Sequence, residues 1–307
     1  MASLTVTTAP SEKRHDSLLR RVSGFVALTK PRIIELLLIT TVPVMVVAKG
    51  SMPSVWLMVA TVFGGTLSAG GANAINMYVD RDIDAIMKRT QNRPLVTGVV
   101  SPTEALVFAV GIEVLSFIVL WRWVNLLSAV LALSACLFYV FVYTLWLKRT
   151  SKQNIVIGGA AGAAPVLIGW SSVTNSLALA PVVLFAVIFF WTPPHFWALA
   201  VKYKDDYSRA EVPMLPSVAS DASVGRQIFW YTVGVVALSL WFGQLAHLGW
   251  IYFATAVVSG GVFAVLSWGV MKSLNAKIAM RLFTFSITYV TVIFGAMAAD
   301  VLILGRR

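Results

Sequence analysis

The chain has 307 residues, of which 58% are hydrophobic and 12% charged, and it carries a formal net charge of +11. A soluble domain holds about 25% charged residues; here the charges gather in short stretches between long apolar runs, which excludes a soluble globular domain. The basic excess lies beside those runs and reads as membrane topology rather than nucleic-acid binding, and the single cysteine, Cys136, excludes an internal disulfide framework or a cysteine-based metal centre.

In chain order, residues 1–28 are polar and of mixed charge, with Glu12, Lys13, Arg14, His15, Asp16, Arg20 and Arg21. They read as a mobile cytoplasmic tail with little to bury. No cleavable signal pattern follows, because the first apolar run is long enough to span. Residues 29–307 read as one all-α, polytopic transmembrane domain. Apolar runs at 33–50, 53–79, 102–121, 123–147, 155–174, 177–201, 228–247, 249–271 and 282–304 predict nine spans in one bundle, each near the roughly 20 residues that cross a bilayer. The fifth run is the weakest, interrupted by Gly158, Gly159, Gly162 and Pro165, although small residues at such spacing also permit close helix packing.

Nine spans put the two termini on opposite sides. Of the 24 Lys and Arg residues, only Lys49, Arg122, Arg306 and Arg307 fall outside the tail and the loops after spans 2, 4, 6 and 8. By the positive-inside rule the N-terminus is inside and the C-terminus outside, as expected for a bacterial inner-membrane protein. Two inner loops, 80–101 and 202–227, are long and hold Asp80, Asp82, Asp84, Asp205, Asp206, Glu211 and Asp221. Short outer turns need only connect helices; long charged loops are where a site is built.

After span 2 the chain reads Asn76-Met-Tyr-Val-Asp80-Arg-Asp-Ile-Asp84. If the helix continues, Asn76, Asp80 and Asp84 share one face, since four residues make little more than a turn. Two aligned carboxylates repel unless a cation lies between them. Mg²⁺ suits one or two carboxylates together with substrate phosphates, and Lys88, Arg89 and Arg93 follow within one loop. That set fits a metal-bound diphosphate; the structural alternative is a solvated helix end. A second cluster lies four spans later, with Lys202 and Asp206 again four residues apart and Lys204 between them. The two clusters could grip one diphosphate from both sides, or Lys202 and Asp206 could form only a surface pair.

With these residues in place, the chain resembles the UbiA superfamily of intramembrane prenyltransferases, whose first Asn-x-x-x-Asp-x-x-x-Asp motif is matched by Asn76, Asp80 and Asp84. Thr29-Lys-Pro-Arg32, Arg89-Thr-Gln-Asn-Arg-Pro-Leu95, Thr192-Pro-Pro-His-Phe-Trp197, Tyr203-Lys-Asp-Asp-Tyr207 and Pro213-Met-Leu215 bring it closer to the branch that farnesylates haem. The resemblance implies transfer of a farnesyl group from farnesyl diphosphate to a vinyl group of haem b, with haem b as substrate rather than cofactor. It implies Asp80, Asp84, Lys202 and Asp206 as catalytic residues and Asn76, Asp80, Asp84 and Asp206 as Mg²⁺ ligands. The diphosphate would meet Asn76, Lys88, Arg89, Arg93, Lys202 and Lys204. Many superfamily members have two spaced aspartates in the second motif; here Lys202 takes the first position, leaving fewer ligands for a metal there and a cation for phosphate. The implied partners are the lipid bilayer and a haem A synthase or terminal oxidase assembly, with no nucleic acid.

An allylic cation needs an apolar, aromatic pocket that excludes water; Tyr139, Tyr143, Phe196 and Trp197 are the candidates, against the alternative of lipid-facing packing. His195 follows Pro193-Pro194 inside span 6. An intramembrane histidine there either meets the tetrapyrrole or bonds a backbone carbonyl freed by the prolines. Lys30, Arg32, Lys148 and Arg149 are candidates for the haem propionates by side alone. Glu113, inside span 3, requires a buried partner that the sequence does not name. Two other readings fit parts of the pattern: a UbiA-type enzyme acting on a quinone precursor or chlorophyllide, and a secondary transporter. The acidic residues lie at one mouth rather than at the midplane, which argues against the transporter.

Overall fold

Serine, asparagine, proline and glycine mark where the apolar runs become helices. Ser54, Asn125 and Asn275 each accept a backbone N–H three residues on, and Ser101 and Glu104 form a capping box with Pro102 in the first turn. The computed structural model describes the backbone of residues 10–305 and the side chains of residues 18–31 and 40–305. Its helices are α1 (Pro10–Leu28), α2 (Pro31–Lys49), α3 (Val55–Val79), α4 (Arg81–Ile86), α5 (Pro102–Trp123), α6 (Leu126–Thr150), α7 (Asn154–Thr174), α8 (Leu179–Lys202), α9 (Lys204–Arg209), α10 (Leu215–Val218), α11 (Asp221–Leu245), α12 (Trp250–Lys272) and α13 (Ala276–Leu304). Within α6, Phe138–Leu147 is wound as a π-helix.

Among the described residues eight helices are long and apolar enough to cross a membrane: α3, α5, α6, α7, α8, α11, α12 and α13. The first of the nine expected spans falls on α2, part of whose side chains lie outside the described residues. The helices of the seventh and ninth spans begin earlier than their apolar runs, at Asp221 and Ala276, because a helix can carry its charged first turns beyond the hydrocarbon. The fifth span is one unbroken helix. Its glycines admit neighbours: Gly158 faces the Tyr143 ring, Gly159 faces Thr192, and Gly169 lies against the backbone of Thr41.

Residues 10–28, expected as a tail, form α1. Its second half is apolar enough to dock: Leu28 is buried among Ala74, Met77, Val100, Ala105 and Ala109, and Phe25 meets Phe108 at 5.1 Å. Arg21 pairs with Glu104.

The spans close on one another. α3 lies along α5, α5 on α6, α6 on α7, and α7 on α2 and α8; α8 then packs on α11 and α13, α12 on both of these, and α13 on α2. The larger core sits in the second half, around Trp191, Trp197, Phe242, Tyr252, Phe263, Tyr289 and Phe294. Trp56, Trp121, Trp123 and Trp250 are exposed at one set of helix ends and Trp146 and Trp268 at the other, the pattern of interfacial aromatic girdles. The second set of ends bears the long charged loops.

Candidate active site

The first acidic motif straddles the end of α3. Asp80 leaves helical geometry (φ −87°, ψ 8°), yet Asp80 N–H bonds Asn76 O at 2.9 Å and Asp84 N–H bonds Asp80 O at 2.8 Å. The i to i+4 ladder therefore crosses the bend and keeps Asn76, Asp80 and Asp84 on one side, where all three are buried. Asp82 lies on another side, exposed, and takes two 2.8 Å hydrogen bonds from Arg149; that guanidinium holds its carboxyl down at about 2.

Each buried carboxylate has a cation. Lys148 pairs with Asp80, and Arg93 reaches Asp84 at 2.6 Å. The Asn76 amide donates to Asp80 Oδ2 at 2.7 Å and to Thr144 Oγ1 at 3.2 Å, and its carbonyl accepts from Lys30 Nζ at 3.0 Å. Lys30 stands in the left-handed region (φ 52°) between α1 and α2, a conformation that costs a non-glycine residue of order 1–3 kcal/mol and persists where packing imposes it. Burial, then the charges of Arg93 and Lys148, push its ammonium down to about 7. Lys30, Lys148 and Arg149, expected near haem propionates from their side of the membrane alone, are thus committed to the acidic motif; spacing along the chain gave no access to pairings across 46 to 68 residues. Arg32 lies outside the described side chains.

Asp80 Oδ1 is buried and makes no hydrogen bond; the Arg149 guanidinium lies 3.7 Å from it. An uncommitted carboxylate oxygen beside an amide and a second carboxylate is an oxygen-donor set of the kind that hard cations such as Mg²⁺ prefer. Among the described residues no three Asp, Glu, His or Cys side chains converge as metal ligands, so the fit rests on Asn76, Asp80 and Asp84 with oxygens from a substrate.

The two inner loops meet, as their charge suggested. Arg89 donates to Tyr207 OH at 3.4 Å and lies 5.4 Å from the Tyr203 ring centre, and Tyr207 packs against Ile83, Met87 and Val212. Burial raises the Tyr207 phenol, while Arg89 and Arg93 oppose that rise. Asp206 is buried and paired with Arg209, not gathered with Asp80 and Asp84. Lys202 is exposed over the Tyr203 ring at 5.5 Å, Lys204 reaches Asp221 at 3.7 Å, and Lys88 is exposed.

Deeper than the carboxylates, the π stretch of α6 presents Tyr139 and Tyr143, stacked at 5.2 Å. Both rings lie within electrostatic reach of Asp80. The same stretch aims Thr144 at Asn76 and carries Lys148 at its end; π segments recur at functional sites. The other two pocket candidates differ. Trp197 is fully buried against Tyr231 at 5.6 Å, where it is core packing, and Phe196 is 41% exposed, because successive residues of a helix cannot share one face. His195 does not repair the helix: its Nδ1 meets Ser286 Oγ at 2.7 Å. Glu113 has a buried partner in Ser68, whose Oγ donates to Glu113 Oε1 at 3.1 Å, while Glu113 Oε2 makes no hydrogen bond. Sequence reasoning passed over Thr144, Tyr207 and Ser286. Thr144 had one usable signal, since it precedes Lys148 by four residues as Asn76 precedes Asp80.

Residues 37–292 match the model of the UbiA prenyltransferase family, and the chain belongs to that family. It is 56% identical over 286 residues, covering 91% of each chain, to a protoheme IX farnesyltransferase of Streptomyces coelicolor. Among solved structures it resembles a digeranylgeranylglyceryl phosphate synthase, with a TM-score of 0.76 and 16% identity over 92% of this chain and 99% of that one. It also resembles a UbiA homologue from Archaeoglobus fulgidus bound to GPP and Mg²⁺, with a TM-score of 0.63 and 18% identity over 89% of this chain and 99% of that one. These last two likenesses concern the fold.

Proposed function

We propose that this member of the UbiA prenyltransferase family transfers the farnesyl group of farnesyl diphosphate to a vinyl group of haem b, giving haem O for terminal oxidases. The observation that carries the reading is the inner mouth itself. Lys30, Arg93, Lys148 and Arg149 crowd around buried Asn76, Asp80 and Asp84, and two stacked tyrosines stand beside them. The choice of haem b as acceptor rests on the name carried by the Streptomyces coelicolor relative.

Asn76, Asp80 and Asp84 would hold Mg²⁺, which when bound supplies positive charge to the departing diphosphate. Lys30, Arg93 and Lys148 would bind the outer phosphate oxygens, and Arg89, Lys88, Lys202 and Lys204 would guide the diphosphate from the loops. Asp206 keeps Arg209 in place at the second mouth. As the carbon–oxygen bond breaks, the Tyr139 and Tyr143 faces stabilise the allylic cation and exclude water. The vinyl π pair then bonds the farnesyl carbon, and water adds to the resulting cation with loss of a proton. The basic inner loops support a site facing the cytoplasm in a bacterial inner membrane, from which a haem A synthase or oxidase assembly would take the product.

The test is mass spectrometry of haem extracted from membranes of a host that lacks haem O and expresses this chain. Haem O is expected. Unchanged haem with the protein inserted would overturn the reading, and a prenylated quinone in its place would point to the other acceptor class.

A further inference from the structure

Ser286 and His195 form a hydrogen bond whose direction can be deduced. Ser286 Oγ has one hydrogen, and it lies 2.6 Å from Phe283 O, to which it donates. The same oxygen lies 2.7 Å from His195 Nδ1, so in that contact it accepts. In the neutral ring Nδ1 is then the protonated nitrogen, and Nε2 keeps its lone pair. Among the described residues His195 makes no other hydrogen bond, and the residue is 9% exposed.

The ring is also fixed in orientation. Trp191 stacks on one face at 4.2 Å and 19°, and Phe283 on the other at 4.6 Å and 27°. Trp191 Nε1 donates to Ser286 O at 2.8 Å, tying the serine backbone to the helix that carries the histidine. Packing alone would need neither a fixed tautomer nor a free nitrogen. A metal ligand needs both, and the usual device is a partner on the other ring nitrogen.

We infer that His195 Nε2 is an axial ligand of the haem iron and that Ser286 is the positioning residue that keeps that nitrogen free. The inference rests on the reading of haem b as acceptor. Coordination would fix the tetrapyrrole on α8 and α13 while its vinyl edge meets the farnesyl group.

The probes are haem b and metal-free protoporphyrin IX, titrated by absorbance into the full-length protein in detergent at equal folded concentration. His195→Ala should abolish the Soret shift of axial ligation, with free imidazole restoring it. Ser286→Ala should weaken haem b binding about 10–100-fold, the usual effect of losing a ligand's supporting partner, and Ser286→Thr, which keeps the hydroxyl, should retain it. Metal-free protoporphyrin should bind wild type and variants alike. If His195→Ala does not fold, the Ser286 pair decides. A haem b Soret band and affinity unmoved by either substitution, in a wild type that farnesylates haem b, overturns the ligation alone. A wild type that neither binds nor farnesylates haem b overturns the acceptor reading with it.

Discussion

Lys148 closes an ion pair on buried Asp80 one step beyond the hydrogen bond that joins Thr144 to Asn76. Both contacts link residues 68 apart in the chain, so α3 and α6 run parallel with matched registers, 76 to 144 and 80 to 148. The π winding between Phe138 and Leu147 sets the phase in which Thr144 and Lys148 reach the same neighbour.

Removing one member of that buried pair should cost more than removing both. Lys148→Met leaves Asp80 charged and without its close cation, a loss of about 3–5 kcal/mol for a buried pair. Asp80→Asn added to Lys148→Met should recover much of it. Thermal unfolding in detergent reads the difference; a double variant less stable than the single would show that the pair does not hold α3 to α6.

Turnover should separate the three aspartates. Asp80→Ala and Asp84→Ala should nearly abolish prenyl transfer with insertion intact, and removal of Mg²⁺ with EDTA should do the same. Asp82→Ala should be milder, because Asp82 is exposed and paired with Arg149, about 200° around the helix from Asp80. Prenylation rates measured at equal membrane content decide; equal loss in all three would contradict one shared ligand face.

Two glycines of α7 should respond oppositely to alanine. At Gly169 a Cβ would lie 2.8 Å from the Thr41 carbonyl oxygen, while at Gly162 nothing lies within 4 Å. Gly169→Ala must push α2 away, at about 1–3 kcal/mol. Gly162→Ala should be neutral or stabilising by up to about 1 kcal/mol through helix propensity. Melting temperatures of the two variants test this, and equal shifts would refute the close approach of α2 to α7.

Orientation is testable by fusion. A reporter in the 80–101 loop should lie on the cytoplasmic side and one at the C-terminus on the outer side. Both on the same side would refute nine spans.

What the sequence determined by itself is what short-range periodicity can carry. Apolar runs became helices, basic loops marked one side, and Asn76, Asp80 and Asp84 fell together because a turn of helix spans fewer than four residues. The second half of α1 escaped because its apolar residues follow a dense charged stretch. Only the tertiary structure decided who answers whom: Lys148 for Asp80, Ser68 for Glu113, Ser286 for His195. Each of those partners lies on another helix, up to 91 residues away. Which pairs meet is set by the rotation and register of packed helices, and those depend on every side chain in the contact rather than on a local pattern.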